Sequence, residues 1–95
     1  MKNDMSIDVV FHYEDDDIDH VGDHCGVDVY RNGSLAASFG DDYHDMGYHK
    51  MEGFIRGVEH YSGRKASVTT HRIADCECGS PPETHRFFKD IDFQR

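Results

Sequence analysis

The amino-acid sequence predicts an α+β fold, in which one amphipathic helix packs on one face of a small antiparallel sheet. The prediction starts from a β-hairpin pattern at residues 27–39 that runs directly into a helical pattern at residues 40–61. A two-stranded ribbon cannot bury its apolar face by itself, and the helix carries a matching apolar stripe. Alternating segments flank this unit at 6–13 and 66–73. The expected order is β-β-β-α-β, in a single domain spanning residues 1–95.

The outer strands are predicted from alternation and from β-forming residues. Residues 6–13 read SIDVVFHY, in which Ile7, Val9 and Phe11 fall on one face. Residues 66–73 read ASVTTHRI, which is rich in β-branched side chains. Each segment therefore indicates a strand.

The hairpin turns at Asn32-Gly33, a strong turn signal that leaves the loop length open. A two-residue loop would set Tyr30 opposite Leu35 and divide the apolar residues between the two faces. A three-residue loop that starts at Arg31, with Gly33 in the left-handed position of a bulge, keeps them together, and we favour it. The pairs it predicts are Val29 with Leu35, Val27 with Ala37, and Cys25 with Phe39.

The helix is predicted to begin after Asp41 or Asp42, since either side chain can accept from the free N–H groups of a first turn. Ser62-Gly63 is expected to end it. Its buried face is predicted from apolar and small residues at helical spacing, with Tyr43 and Tyr61 at the margin. These residues are Gly47, Met51, Phe54, Ile55 and Val58.

Two glycines of this helix, Gly53 and Gly57, lie one turn apart beside the apolar stripe. Each costs about 1 kcal/mol relative to alanine, so a close backbone approach is expected there. We favour the protein's own sheet as the neighbour, with a partner's helix as the alternative.

The C-terminal segment after Pro82 has two interpretations, a short helix or a strand with Phe87, Ile91 and Phe93 on one face. The strand is favoured, and it would be the fifth of the sheet.

The composition limits both the core and the partners. Ile, Leu, Val and Phe number 19, which predicts a thin core that a homodimer or a metal would complete. The net charge of −9 disfavours direct binding to nucleic acid or to an anionic membrane, and favours a basic protein surface. No signal peptide or membrane span is recognisable, and three cysteines are an odd count. Reduced thiols in a cytoplasm are expected.

An acidic cluster between the first strand and the hairpin is the strongest local feature. Its carboxylates are Glu14, Asp15, Asp16, Asp17, Asp19 and Asp23. From Asp15 the pattern resembles the start of an EF-hand loop, but His20 and Gly26 occupy the positions that require glycine and glutamate. In extended chain, alternate carboxylates lie about 6.6 Å apart, which is close to the spacing of phosphates along a nucleic-acid strand. A nucleic-acid mimic is therefore favoured, with a looser cation site and a solvated connecting loop as the alternatives.

A possible zinc set is formed by Cys25, Cys76, Cys78 and His85. Structural zinc sites usually show two well-spaced ligand pairs, whereas Cys25 stands alone here. Zinc therefore stays an alternative, and no cofactor is the favoured prediction.

An enzyme is disfavoured although the chain has eight histidines. The sequence contains no nucleophile elbow, H-E-x-x-H motif or phosphate-binding loop. A metal-dependent hydrolase is the catalytic alternative.

The chain resembles the small, acidic, single-domain proteins that phages and mobile elements encode against host defence, of which anti-CRISPR proteins are the best known. The residues that carry the resemblance are the Glu14–Asp23 cluster and Asp41, Asp42 and Asp45. These proteins share no sequence motif, so no functional residue is transferred. The resemblance implies a stoichiometric inhibitor that occupies a basic nucleic-acid-binding surface of a defence complex.

The function predicted from the sequence is therefore that of an acidic protein-binding inhibitor or adaptor. The predicted partner-binding residues are Glu14, Asp15, Asp16, Asp17, Asp19, Asp23, Asp41, Asp42 and Asp45. The alternative is a small zinc- or cation-binding module that uses the cysteine and histidine set or the Asp-rich loop.

Overall fold

A computed structural model describes residues 5–13, 26–40, 46–74 and 81–93 of the chain. These ranges contain four strands and one α-helix, and the predicted α+β class is confirmed. In chain order the elements are β1 (Met5–His12), β2 (Gly26–Arg31), β3 (Ser34–Gly40), α1 (Met46–Ser62) and β4 (Ala66–Ile73).

The four strands form one mixed sheet in the order β3-β2-β1-β4. β1 is antiparallel to β2 but parallel to β4, whereas the sequence had predicted only antiparallel pairs. The length of α1 explains this difference. A helix of 17 residues extends about 26 Å, roughly the length of an eight-residue strand, so it returns the chain to the end of the sheet where β3 began. The next strand then runs parallel to β1 and β3.

The hairpin has the two-residue loop that the sequence analysis rejected. Arg31 pairs with Ser34 and Tyr30 with Leu35, so the predicted pairing of Val29 with Leu35 is wrong. A β-bulge follows, after which Val29 pairs with Ala37 and Val27 with Phe39. The extra residue of the bulge returns the apolar side chains to one face, which a three-residue loop had been invoked to achieve.

The helix packs its apolar stripe on one face of the sheet. Met51 and Ile55 are buried there against strand residues that include Val9 and Val27, which confirms the predicted stripe. Gly63 ends the helix in the left-handed conformation, as expected. In the ranges that the structure describes, no helix has both the length and the apolar character needed to cross a membrane.

The predicted close contact at Gly53 and Gly57 is wrong within the described part of the chain. Apart from the neighbouring backbone of the helix itself, a Cβ atom at either position would meet no described atom within 4 Å. Both glycines lie on the exposed side of α1, where the sheet does not reach them. Tyr61, placed at the margin of the stripe by the sequence, is 95% exposed.

The C-terminal segment covers the second face of the sheet, and it is not a fifth strand. It forms two 3₁₀ turns, Pro82–Thr84 and Phe88–Asp90. Aromatic and aliphatic side chains of this segment pack on a second apolar cluster of the sheet, and those of Phe88, Ile91 and Phe93 meet Val10, Tyr30 and Ile73. Of the three residues that had suggested a strand face, Ile91 and Phe93 pack on the sheet, whereas Phe87 is 36% exposed.

Candidate functional site

Beneath the C-terminal segment, the second face of the sheet carries buried acidic and imidazole groups. Strand alternation places them there. Because Ile7, Val9 and Phe11 face α1, the side chains of Asp8 and His12 must point the other way. Asp8, His12, Asp28 and His85 are all buried, although none of them is apolar.

Asp28 lies between a hydroxyl group and an imidazole. Nε2 of His12 donates to one carboxylate oxygen of Asp28, and Oγ of Ser38 donates to the other. A Ser-His-Asp triad needs the imidazole in the middle, where it can take the proton of the serine. Here the carboxylate holds the middle position, so His12 cannot activate Ser38 through this contact.

A second acid–imidazole pair joins β1 to β4. Nε2 of His71 donates to Oδ1 of Asp8 over 2.8 Å. The ring of His71 also packs against Phe93, with ring centroids 5.5 Å apart. The pair therefore connects the central strand, the edge strand and the C-terminal segment.

The phenol of Tyr30 completes this layer. Its ring lies 4.9 Å from that of Phe93, and its hydroxyl donates to Glu83 over 3.4 Å. Burial raises the pKa of Tyr30, and the negative charges of Glu83 and Asp28 raise it further. The phenol is therefore held in its neutral form.

The chemistry of these groups is that of a structural layer. Asp8, His12 and Asp28 are at most 5% exposed, so a substrate has no access to them in this arrangement. Among the described residues, no three acidic, histidine or cysteine side chains come together as a metal site would require. The pairs instead fix the register between strands and hold the C-terminal segment on the sheet.

Almost all the residues predicted to form a site lie outside the described ranges. This applies to every acidic partner-binding residue from Glu14 to Asp45 and to Cys25, Cys76 and Cys78. His85 is described, and its ring lies edge-on to that of His12 with centroids 5.1 Å apart.

The described strands nevertheless show where the acidic segments are attached. His12 pairs with Gly26 and Ile73, and Gly26 pairs with Gly40, so these four residues lie in a row at one end of the sheet. Residues 14–25, 41–45 and 75–80 each join the described chain beside that row. We call the end of the sheet that is formed by this row the acidic end of the sheet.

The excess of acidic over basic side chains lies in these three connecting segments. Residues 14–25, 41–45 and 75–80 hold eleven acidic side chains and no lysine or arginine. The described ranges carry eight basic and seven acidic side chains, so they are nearly neutral. Two of the three segments were evident in the sequence, but their attachment to one end of the sheet was not, because it depends on strand order.

The sequence analysis also missed the buried polar layer. A signal was present, since Asp8 and His12 alternate with the apolar residues of a predicted strand and therefore share a face. That face was expected to be solvated, because nothing was predicted to cover it.

Comparisons of this chain with protein-family models, with curated proteins and with solved structures found no match.

Proposed function

We propose that this chain is an acidic inhibitor or adaptor that binds a basic protein surface through the acidic end of its sheet. The observation that supports the proposal is the segregation of charge. Eleven acidic side chains lie in three segments attached to one row of residues, on a body that is nearly neutral. Acidic charge that is segregated from a nearly neutral body in this way steers association with a positively charged partner.

The energetics also favour a partner. Like charges concentrated at one end repel one another and destabilise the folded chain unless something compensates for them. A basic surface supplies that compensation on binding. The matching surface is one that normally holds nucleic-acid phosphates, because closely spaced carboxylates present a similar series of negative groups. In line with the resemblance to anti-CRISPR proteins, a host defence complex is the proposed target.

The structural layer supports binding over catalysis. The acid–imidazole pairs of the described residues are covered by the protein itself, and they account for His12 and His71 without a reaction.

A zinc-binding module is the second candidate, and one observation favours it. Cys25 precedes Gly26, and Cys76 and Cys78 follow Ile73 within five residues. Gly26 and Ile73 both pair with His12, against which His85 packs. The four predicted ligands are therefore attached around one point of the sheet.

The test combines partner capture with a matched pair of charge reversals. The tagged chain is used to capture proteins from a bacterial lysate, and mass spectrometry identifies them. The double variant Asp16→Lys/Asp17→Lys changes the acidic end, whereas Asp90→Lys/Asp92→Lys makes the same change of charge on exposed residues of the C-terminal segment. We expect only the first variant to lose a basic, nucleic-acid-binding partner, and the parent complex to weaken steeply with added salt.

Further controls separate the two candidates. Zinc near one atom per purified chain, with binding abolished by a chelator, would favour the metal module. Competition between the chain and the partner's own nucleic acid would favour mimicry. Equal binding by both double variants at low salt would contradict the proposed role of the acidic end.

A further inference from the structure

The backbone of β4 shows which of its groups face outward. The N–H of Met5 donates to the carbonyl of Lys65, and the N–H of Tyr13 donates to that of Ile73, each over 2.9 Å. Successive residues of a strand direct their backbone groups to opposite sides, so the odd-numbered residues of β4 face β1. The even-numbered residues, which are Ala66, Val68, Thr70 and Arg72, therefore turn their N–H and C=O groups to the outer edge.

One of these four positions is already occupied. The carboxylate of Glu59 accepts from the N–H of Ala66 over 2.7 Å, which closes the start of the edge. Val68, Thr70 and Arg72 continue the edge with exposed side chains, and β4 is the last strand in the sheet order of the described residues. Among the described residues, the outward N–H and C=O groups of these three positions are therefore available to pair with another strand.

The two edges of the sheet are not equivalent. β3, at the opposite edge, is interrupted by its bulge, a feature that prevents regular pairing with another strand. β4 pairs with β1 without a shift over all eight residues, and it contains no proline. A regular, exposed edge of β-branched residues is a template for another strand.

We propose that β4 pairs antiparallel with β4 of a second copy of this chain, about a two-fold axis at Thr70. In this register Thr70 faces its own counterpart, and Val68 of each copy faces Arg72 of the other. These are the three outward-facing positions that Glu59 leaves open, and each pair exchanges two hydrogen bonds. The contact is self-complementary and closed, as a two-fold interface must be.

Charge favours a second copy as the occupant. The side chains of Val68 and Arg72 lie on the helix face of the sheet, because Ile7 and Phe11 are their partners on β1. A groove of about 280 Å³ beside Val68 is lined by Glu52, Arg56 and Glu59, among others. The Arg72 side chain of the other copy would reach this groove, where the two carboxylates outnumber the one guanidinium group.

The orientation also separates the negative charges. Ile73 lies at the acidic end of the sheet. Because the two copies of β4 run antiparallel, the two acidic ends lie at opposite ends of the paired strands in a continuous eight-stranded sheet. Repulsion between the two copies is therefore smallest in this arrangement, since it falls with distance.

The first test is the mass of the full chain in solution, measured by light scattering from micromolar to submillimolar concentration. We expect twice the single-chain mass of 10.9 kDa. Thr70→Pro removes one outward N–H and should give the single-chain mass, whereas Thr70→Val keeps that N–H and should remain a dimer. Circular dichroism checks that both variants are folded. A monomeric parent chain, or a dimeric Thr70→Pro variant, would overturn the proposal.

The second test reads the register directly and does not depend on the proline variant. In a background with Cys25, Cys76 and Cys78 changed to serine, Thr70→Cys should form a disulfide between copies under mild oxidation. Facing positions of this kind have Cα atoms about 5.5 Å apart, within disulfide range. Val68→Cys is the matched control, since its two copies would lie four residues out of register and about 13 Å apart. Cross-linking of Val68→Cys but not Thr70→Cys would show that the register is wrong.

Discussion

The imidazole of His12 donates to the carboxylate of Asp28 across the β1–β2 pair, with both residues at most 5% exposed. Two polar groups of this kind are costly to bury separately, and each makes the burial of the other tolerable. The contact lies under the C-terminal segment, close to the ring of His85. It therefore links the register of the two strands to the position of the last described segment.

The first prediction concerns this pair. His12→Leu should destabilise the fold by about 3–5 kcal/mol, because it leaves the Asp28 carboxylate buried without the imidazole. The double variant His12→Leu/Asp28→Leu should lose less than the sum of the two single changes, since no unpaired charge remains. Urea unfolding of the three variants measures this difference. Strictly additive losses would show that the two side chains do not act as a pair.

The second prediction concerns the hairpin turn, where both central residues have positive φ angles, 54° at Asn32 and 85° at Gly33. Gly33→Val should lower the free energy of unfolding by roughly 1–2 kcal/mol, because a β-branched residue resists this conformation. Asn32→Gly is the control and should be tolerated, since glycine adopts positive φ readily. An unchanged thermal midpoint in Gly33→Val would contradict the two-residue turn.

The third prediction concerns the exposed side of α1. Gly53→Ala and Gly57→Ala should each stabilise the chain by about 1 kcal/mol, because alanine favours the helix and its methyl group meets no described atom within 4 Å beyond the neighbouring backbone of the helix. Gly63→Ala should instead destabilise it, since Gly63 has a φ of 72°. Thermal unfolding measures all three. A loss of stability at Gly53 or Gly57 would mean that another surface contacts this side of the helix.

The fourth prediction concerns alkaline pH. Burial raises the pKa of Tyr30 from its ordinary value of 10.0, so the folded chain keeps the phenol neutral after the unfolded chain has ionised. The stability that this group contributes is fully present below pH 10 and is lost as the pH rises further. The free energy of unfolding should therefore be lower at about pH 11 than at neutral pH, and Tyr30→Phe should make this difference smaller. An identical pH dependence in the variant would exclude Tyr30 as its source.

Periodic features of the chain were predictable from sequence, and features that depend on distant neighbours were not. The stripe around Met51 and Ile55 and the stop at Gly63 follow from local spacing and backbone chemistry. The parallel β4 and the bulge in β3 do not, because several pairings satisfy the same alternation of side chains. The spacing of aromatic residues near Phe93 is likewise compatible with a strand or with an irregular segment that covers the sheet.

Only the composition of the candidate site could be predicted from the sequence. The acidic segments are evident in the sequence, but their attachment to one row of strand ends is a property of topology. The buried layer was missed for a related reason. Whether Asp8 faces water or a covering segment depends on residues more than seventy positions away in the chain.

The parallel pairing of β1 with β4 also has a consequence for folding. β1 is an inner strand of the sheet, yet Met5 pairs with Ala66 and His12 with Ile73, so one of its neighbours lies far along the chain. The β2–β3 hairpin and the helix rest on contacts that are close in sequence, so we expect them to form before this pair closes. One edge of β1 then stays open until β4 joins the sheet, and we expect closure of this long-range pair to limit the rate of folding.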